Sequence, residues 1–390
     1  MRIVIVGAGV IGMLTAVQSV AAGHQVVLLD QGDIPCSEAT SYDRHRTVRS
    51  LCMKEPAAAT AGVRAHHAWV ALQRLLDTRF YEQVGTLTVL PRDEVPRALV
   101  QLTTAGSQAH VLNPDELTVR YPHVEFPIGE SAVFESLAGV LLADRVLTAC
   151  AEWLRRHPAV ELRPRSKAVR VDVDHPRVGL ADGEVVSGEA LLLAGGPWSR
   201  ELLPSPAAAE LVLYRQSMLY CDVPTLDAAA WAATPAMLSM GEDGCAWLVP
   251  PVADTPLKLS AASTCRAVDR VEERSTPAHW RDVLVKTFAE ILPGFHEDWV
   301  VAARDGYYLA RAATDGAMVA RLGERVLSFA GCGGSSFKYA PVISRCLSEH
   351  LTGADVTPTG LRALDVGILP ALYAASPEPE PESGAVSPVL

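Results

Sequence analysis

A glycine-rich turn between an apolar run and a helical stretch is the first feature of this chain that could do chemistry. The apolar run at 2–6 continues into Gly7-Ala8-Gly9-Val10-Ile11-Gly12. Gly9 lets the backbone approach a pyrophosphate, Gly12 lets the helix pack on the strand, and the helix N-terminus offers N–H donors to phosphate. A second apolar run ends at Asp30, whose carboxylate can accept hydrogen bonds from a ribose diol. This order predicts a dinucleotide site.

An alternative interpretation of the apolar N-terminus is a signal peptide. It is disfavoured because no basic stretch precedes the apolar run and because the glycines have the spacing of a phosphate-binding loop. No later stretch is long and apolar enough to cross a bilayer. We therefore expect a cytoplasmic protein that does not associate with membranes.

Composition narrows the class of partner. The chain has 390 residues, 34 of them basic and 45 acidic, for a formal net charge of -11. This length suffices for two domains, and the net acidity argues against nucleic acid as the main partner. The eight cysteines include no CxxC pair and form no metal-type cluster with histidine, which predicts reduced thiols and no metal site.

Two later apolar runs also end in glycines. Residues 190–196 read Ala-Leu-Leu-Leu-Ala-Gly-Gly, and the run at 326–330 enters Gly331-Cys332-Gly333-Gly334. Continuous apolar runs bounded by glycine are typical of parallel strands covered on both faces. Because these runs lie far apart in the chain, the nucleotide domain is predicted to be discontinuous. This differs from nicotinamide-dependent dehydrogenases, whose Rossmann unit is usually one uninterrupted block.

Several motifs together resemble one family. Besides the N-terminal loop with Asp30, they are Thr47-Val48-Arg49, Gly85-Thr86-Leu87, Phe134 through Gly139-Val140-Leu141, Ala194-Gly195-Gly196-Pro197-Trp198-Ser199, Leu257-Lys258-Leu259, and the loop from Gly331 to Tyr339. In this order they resemble the flavin-dependent amine and amino-acid oxidases of the D-amino-acid oxidase superfamily. The nearest group is that of monomeric sarcosine oxidase and the nikkomycin-pathway amino-acid oxidase. The resemblance covers the chain from Met1 to about Gly353.

The fold that this resemblance implies is α/β (an α+β two-domain protein). It has a discontinuous Rossmann-type FAD-binding domain and a second, mixed β-sheet substrate domain. The predicted bounds are 1–84, 140–210 and 306–370 for the FAD-binding domain, 85–139 and 211–305 for the substrate domain, and 376–390 for a disordered tail rich in Pro and Glu.

The resemblance also implies FAD as cofactor and assigns the residues that contact it. These are Gly7, Gly9, Val10, Ile11, Gly12, Asp30, Gln31, Arg46, Val169, Gly195, Trp198, Gly331, Gly333, Gly334, Ser335 and Lys338. The helix after Tyr339 would aim its positive end at the carbonyl edge of the flavin.

Three cations are predicted to carry the chemistry. In the family an arginine and a lysine hold the substrate carboxylate, and these match Arg49 and Lys338. A lysine over the flavin stabilises the negative charge that forms when O₂ takes an electron, and it matches Lys258. On an alternating strand Lys258 would point away from Leu257 and Leu259 and would need water or an anion as partner.

The chain departs from the sarcosine oxidases at four places. The cysteine that attaches FAD there is replaced by Tyr308, and Cys332 lies elsewhere, so we expect non-covalent FAD. The His-Gly-Asp segment ahead of the arginine becomes 42–46, from which Arg46, or less strongly His45, is expected to face the flavin. The substrate-side tyrosine and histidine appear as Trp247 and Ala262. Losing these polar contacts favours a bulky, cyclic or aromatic acid, with Trp247 as a stacking face.

The predicted activity is oxidation of a carboxylate-bearing amino or imino acid by O₂, in specialised metabolism, by a monomer or homodimer. One alternative is oxygenation or rearrangement of a heteroaromatic, indole-type carboxylic acid on the same scaffold. A second is a non-enzymatic flavoprotein or a subunit of a dehydrogenase complex. A nicotinamide-dependent dehydrogenase is the least favoured because of the divided nucleotide domain.

Overall fold

The structure is a computed structural model that describes residues 1–56, 58–314 and 316–353. Within them the strands are β1 (Arg2–Val6), β2 (Gln25–Leu29), β3 (Arg46–Val48), β4 (Tyr81–Glu82), β5 (Thr86–Leu90), β6 (Ala109–Leu112), β7 (Ser131–Glu135), β8 (Gly139–Leu141), β9 (Val160–Arg163), β10 (Ala168–Asp172), β11 (Arg177–Leu180), β12 (Val185–Ser187), β13 (Ala190–Leu193), β14 (Leu211–Cys221), β15 (Ala236–Met240), β16 (Ala246–Val249), β17 (Leu257–Ala261), β18 (Cys265–Val268), β19 (Val300–Arg311), β20 (Met318–Gly323) and β21 (Val326–Gly331). The α-helices are α1 (Val10–Ala21), α2 (Ala58–Leu76), α3 (Val95–Ala105), α4 (Pro114–Arg120), α5 (Ala143–Arg156), α6 (Ser205–Ala209), α7 (Ala228–Ala232), α8 (Ala278–Ile291) and α9 (Ser336–Thr352). None of these helices is both long enough and apolar enough to cross a membrane.

The first sheet is mostly parallel, with its strands in the order β20-β21-β13-β1-β2-β9. β1 lies between β13 and β2 and pairs in parallel with both, and β20 runs antiparallel to β21 at the edge. Helices α1, α5 and α9 bury one face, where Leu14, Leu147 and Ile343 share a core, and the small sheet β10-β11-β12 covers the other. Because both faces are covered, β1 and β13 are continuous apolar runs. The predicted Rossmann-type sheet is confirmed.

The second sheet is mixed and follows the order β18-β14-β17-β16-β15-β5-β7-β6, with β19 paired to β14. β15 and β5 pair in parallel, whereas β14, β17 and β16 are antiparallel neighbours. One face packs on α8, where Leu257 and Leu259 are buried with Leu284 and Phe288. The opposite side chains of β16 and β17 face a cavity between the two sheets. The predicted α/β fold with a second mixed sheet is therefore confirmed.

The predicted domain bounds stay a prediction. The two sheets draw on alternating stretches of chain in the predicted order, but β19 (Val300–Arg311) pairs with the second sheet across the proposed boundary at 306. The end of the FAD-binding segment at 354–370 and the tail at 376–390 lie outside the described residues.

The turn between β1 and α1 depends on two glycines. Gly7 has a φ of +102°, and a Cβ at Gly12 would lie 1.8 Å from the Gly7 carbonyl oxygen. We expect Gly12→Ala to lower the free energy of unfolding by about 3 kcal/mol, because a backbone atom cannot move aside as a flexible side chain can. Urea unfolding curves measure this. The matched control is Gly179→Ala on β11, where the nearest atom to a new Cβ is at 3.7 Å and little change is expected. Equal stability of the two variants would contradict the close approach.

Candidate active site

A cavity of about 620 Å³ lies where the carboxyl ends of the parallel strands meet the second sheet. Its volume is within the range of small-molecule sites, and the carboxyl edge of a parallel sheet is where such ligands bind. The residues that the sequence assigned to a site and that line the cavity are Gly7, Gly9, Val10, Ile11, Asp30, Gln31, Arg46, Arg49, Gly195, Trp198, Trp247, Lys258, Gly333, Gly334, Ser335 and Lys338. Segments far apart in the chain thus converge as predicted.

Three assigned cofactor residues do not line this cavity. Gly12 faces Gly7 and serves the packing of α1. Val169 is 50% exposed, and its neighbour Ala168 lines the cavity instead, at a point where the β10–β11 register shifts. Gly331 is buried against Met318 and Leu211, while Ala330 and Cys332 on either side of it line the cavity. The assignment of Gly12, Val169 and Gly331 as cofactor-binding residues stays a prediction.

One end of the cavity is built for a phosphate and a ribose. Gly9 is the N-cap of α1 and has no side-chain cap, so the positive end of the helix opens on the cavity. The Asp30 carboxylate accepts hydrogen bonds from the Ala8 N–H at 2.7 Å and the Gly32 N–H at 2.8 Å, while burial raises its pKa. These bonds hold the carboxylate at the cavity wall with lone pairs left for a diol.

Arg49 and Lys338 form a cationic pair further along the cavity. Arg49 follows β3, and Lys338 lies in the first turn of α9, where its carbonyl accepts a 2.8 Å hydrogen bond from Trp69 Nε1. Lys338 is 4% exposed, and burial together with the charge of Arg49 lowers its pKa to about 7. A buried and a half-buried cation whose charges repel each other favour an anion between them.

Glu135 fixes the segment that carries Arg49, and the sequence analysis did not identify it. The Glu135 carboxylate is buried and accepts hydrogen bonds from the Ser50 N–H at 2.9 Å and the Leu51 N–H at 3.2 Å. Gly62 on α2 lets the helix approach the same segment, since a Cβ there would lie 2.5 Å from the Ser50 Cα. The sequence signal that could have identified Glu135 is an acidic residue directly after the apolar residues 132–134, at the end of β7.

Lys258 lies on the other side of the cavity, on β17. Its side chain points away from Leu257 and Leu259 as strand alternation requires. The ammonium group is 1% exposed and makes an ion pair with the Asp43 carboxylate, with a further hydrogen bond to the His45 carbonyl at 3.2 Å. It also lies 5.8 Å from the centre of the Trp247 ring. The anionic partner that was expected for Lys258 is therefore Asp43 of the same chain.

Asp43 is the second functional residue that the sequence analysis missed. Its Oδ1 accepts hydrogen bonds from the Tyr220 hydroxyl at 2.6 Å and the Arg44 N–H at 2.7 Å, and Arg46 Nη2 lies 3.1 Å from its Oδ2. Burial alone would raise the pKa of Asp43, but the charges of Lys258 and Arg46 hold it well below its usual range. Asp43 is thus ionised, and it belongs to the 42–46 segment in which the family pattern is lost.

Arg46 and His45 bring polar atoms without partners to the cavity. Arg46 donates to the Thr40 carbonyl at 2.7 Å, but its buried Nε has no partner among the described residues. His45 is fully buried; the Pro256 carbonyl lies near its ring, yet neither ring nitrogen makes a well-formed hydrogen bond to the described residues. Burial and the charge of Lys258 lower the pKa of His45 to about 3, so its imidazole is neutral. Orphaned buried donors and acceptors fit a polar cofactor at this place.

Gln216 on β14 adds an acceptor that the sequence analysis missed. Its Nε2 lies 2.9 Å from each of Ser260 Oγ, the Ala261 carbonyl and Thr264 Oγ1. Because a carbonyl can only accept, the amide nitrogen must occupy this side and the Oε1 atom must face away from it. Gln216 is among the residues that line the cavity, which makes its Oε1 a candidate acceptor for an N–H group there.

A family model described as FAD dependent oxidoreductase matches residues 2–350 of this chain. The chain belongs to this family. It is an FAD-dependent oxidoreductase, and the resemblance found in the sequence is confirmed. The N-terminus of α1 and Asp30 fit that cofactor, as do the nitrogens of His45 and Arg46 that lack a well-formed hydrogen bond within the described residues.

The relatives are sarcosine oxidases and structurally similar amino-acid oxidases. The human peroxisomal sarcosine oxidase is 22% identical, and the match covers 56% of this chain and 56% of the relative, so the chain spans about half the length of that relative. The monomeric sarcosine oxidase of Bacillus sp. (strain NS-129) is 24% identical over 90% of this chain and 92% of the relative. NikD, an unusual amino acid oxidase essential for nikkomycin biosynthesis, is 16% identical with a TM-score of 0.76, covering 93% of this chain and 96% of that one.

Tyr308, the residue expected in place of a flavin-linking cysteine, lines the cavity. It stacks on Tyr214 with ring centres 5.5 Å apart. Cys332 also lines the cavity, but burial raises the pKa of its thiol to about 11, so little thiolate forms at neutral pH.

We therefore expect acid precipitation to release the flavin into the supernatant and to leave a colourless pellet. The absorbance of the two fractions measures this, and Cys332→Ser should behave like the natural chain. If acid left a yellow pellet with the natural chain and a colourless pellet with Cys332→Ser, the flavin would be bound covalently at Cys332.

Proposed function

We propose that this protein oxidises a carboxylate-bearing amino or imino acid and passes the electrons to O₂. The observation that carries the proposal is the convergence of Arg49, Lys338 and Lys258 on the cavity that begins at the nucleotide loop. When bound, FAD supplies the acceptor for a hydride from the substrate carbon next to nitrogen and hands the electrons on to O₂. Sarcosine oxidases and NikD, which this chain is similar to, are named for reactions of this class.

Arg49 and Lys338 would orient the substrate by its carboxylate. A guanidinium can bind both carboxylate oxygens, and a second cation from another element fixes the direction of the rest of the molecule. Such positioning contributes several kcal/mol to lowering a barrier. Since the pKa of Lys338 is about 7, binding should weaken as the pH rises through neutrality, where this lysine loses its proton.

Neither His45 nor Asp43 would act as a general base toward the substrate nitrogen. His45 has a pKa of about 3 and Asp43 is held ionised by two cations, so neither is suited to remove a proton at neutral pH. Gln216 Oε1 offers an acceptor for an N–H group. We infer that the amine reacts in its neutral form, with proton loss to solvent before the carbon is oxidised.

A bulky, cyclic or aromatic substrate suits the cavity wall. Trp247 lines the cavity and offers a flat apolar face to a ring. Ala262, the counterpart of the histidine in the sarcosine enzymes, is exposed and is not a lining residue, so its effect on the pocket was wrongly predicted. The preference for a bulky acid is therefore carried by Trp247. Specialised metabolism, a cytoplasmic location and a monomeric or homodimeric state stay predictions.

The test is anaerobic mixing of the purified protein with a panel of amino and imino acids. Bleaching of the visible flavin absorbance by cyclic or aromatic acids, followed on aeration by one peroxide per substrate, supports the proposal. Sarcosine serves as the small comparison and should react poorly. No bleaching by any acid, or bleached protein that does not recover in air, would favour a dehydrogenase subunit or a non-enzymatic flavoprotein.

The second candidate is oxygenation or rearrangement of an indole-type carboxylic acid, and the Trp247 face is the observation that favours it. It predicts far less than one peroxide per substrate. With ¹⁸O₂, mass spectrometry of the product would show retained oxygen for an oxygenase and none for an oxidase.

A further inference from the structure

We propose that Asp43 is a positioning residue that keeps Lys258 protonated and thereby maintains the positive charge that the cavity presents to O₂. This inference rests on the proposed function in that it assigns Lys258 to the oxygen reaction. Asp43 does not line the cavity and acts through Lys258.

Within the described part of the chain, Lys258 is influenced by the negative charge of Asp43 and by the positive charges of Arg46 and Arg274. The segment that leads into β3 contributes Asp43, the neutral His45 and the cation Arg46. β14 contributes the Tyr220 hydroxyl, and the segment between β18 and α8 contributes the cation Arg274. Among the described residues Asp43 is the one carboxylate that pairs with Lys258.

The two oxygens of Asp43 have different tasks. Oδ1 accepts from the neutral donors, the Tyr220 hydroxyl and the Arg44 N–H, which fix the carboxylate in place. Oδ2 faces the two cations, Lys258 and Arg46. A carboxylate held in this way is ready for the ammonium group and needs no rearrangement to bind it.

Removal of this carboxylate should deprotonate Lys258 at neutral pH. Burial lowers the pKa of Lys258 most, Asp43 raises it, and the result is about 8. Without Asp43, burial remains together with the charges of Arg46 and Arg274, which also lower the pKa. An uncompensated buried ammonium loses its proton rather than stay charged. Asp43 thus decides the charge of Lys258 near pH 7.

Asp43→Asn is the test variant because it keeps the shape and removes the charge. We expect the pH midpoint for reoxidation of the reduced holoenzyme by O₂ to move from about 8 to below 7. At pH 7 the rate should fall at least about twofold and recover on acidification, following protonation of the amine. Asp144→Asn is the matched control. Asp144 forms an ion pair with Arg44, at a distance of 3.2 Å, and not with Lys258. This variant should leave the midpoint unchanged.

A second measurement does not depend on turnover. Acetic anhydride modifies neutral amines, so mass spectrometry of the peptide with Lys258 gives its protonation midpoint in the full chain, with and without added FAD. We expect this midpoint to fall by at least one pH unit in Asp43→Asn. An unchanged midpoint would overturn the inference even if the protein is an oxidase. A shifted midpoint in a protein that does not react with O₂ would uphold the ion pair and reject the proposed function.

The double variant Asp43→Asn/Lys258→Met covers the case in which Asp43→Asn does not fold. If the defect comes from an unpaired Lys258, removing the lysine restores folding, and the asparagine causes no further loss of reoxidation rate in that background. A double variant that still fails to fold, or that reacts much more slowly than Lys258→Met, would contradict action through Lys258.

Discussion

Replacing Lys258 with methionine is expected to slow the reaction of the reduced enzyme with O₂ by a factor on the order of 10² to 10³. The lysine is buried at the cavity wall, and its charge stabilises the anion formed when O₂ accepts the first electron. Methionine fills a similar volume without that charge. Reduction of the enzyme by substrate should change little, because this step makes no anion of oxygen. Stopped-flow absorbance measures both half-reactions separately.

Two comparisons make this result specific. Lys286→Met removes an exposed lysine of α8, outside the cavity lining, and should react with O₂ as the natural chain does. Circular dichroism and the flavin content should remain normal in Lys258→Met, although Asp43 then keeps only Arg46 as a cationic partner. If oxygen reacted at the same rate with and without Lys258, the proposed role of this residue would be rejected.

Arg49→Leu is expected to weaken binding of a carboxylate substrate or inhibitor by about 2–5 kcal/mol, which is roughly 30-fold to several thousand-fold in Kd. The loss is large because the acid would keep only Lys338 and would lose a two-point contact with the guanidinium. The same change should raise the pKa of Lys338, since the charge of Arg49 is one cause that lowers it to about 7. The pH above which binding weakens should therefore move upward in the variant.

Titration of the flavin spectrum with an aromatic acid, over a range of pH, measures both effects. The internal control is the corresponding carboxamide, which lacks the charge and should bind equally weakly to the natural chain and to Arg49→Leu. Arg49→Lys should recover only part of the affinity, because an ammonium group cannot contact both oxygens in the plane of the carboxylate. Undiminished affinity of Arg49→Leu for the acid would refute carboxylate recognition by this pair.

The sequence was sufficient to place the residues whose role depends on short motifs. The glycine turn with Asp30 and the three cations expected at family positions lie around one cavity, and their roles stay predictions. These features are local, because a strand that ends in a glycine turn places its next residues at the carboxyl edge of the sheet.

Residues that act through distant partners could not be identified from one sequence. Asp43 and Lys258 are 215 positions apart, and the residues around each of them do not indicate that the two form an ion pair. Glu135 supports the segment after Arg49 across 85 positions. The orientation of the Gln216 amide follows from the carbonyl and hydroxyl oxygens around its nitrogen, which belong to residues 44 to 48 positions away. Each depends on tertiary contacts between segments far apart in the chain, which composition and periodicity do not encode.

Val169 and Ala262 lie away from the cavity wall for local reasons. The shift of register near Val169 changes which side chain of β10 faces the cavity. Ala262 lies just past the end of β17, in a short 3-10 turn that leaves the sheet and exposes the residue. Motif matching assumes that the alternation of an extended strand continues, and at these positions it does not.

The most direct test of the central claim is a spectral titration of the purified, FAD-loaded protein with an aromatic carboxylate and with its carboxamide. The account predicts that the acid perturbs the flavin absorbance in a saturable way, that the effect weakens above pH 7, and that the carboxamide has little effect. A colourless protein that takes up no FAD, or an equal response to both compounds at every pH, would contradict it.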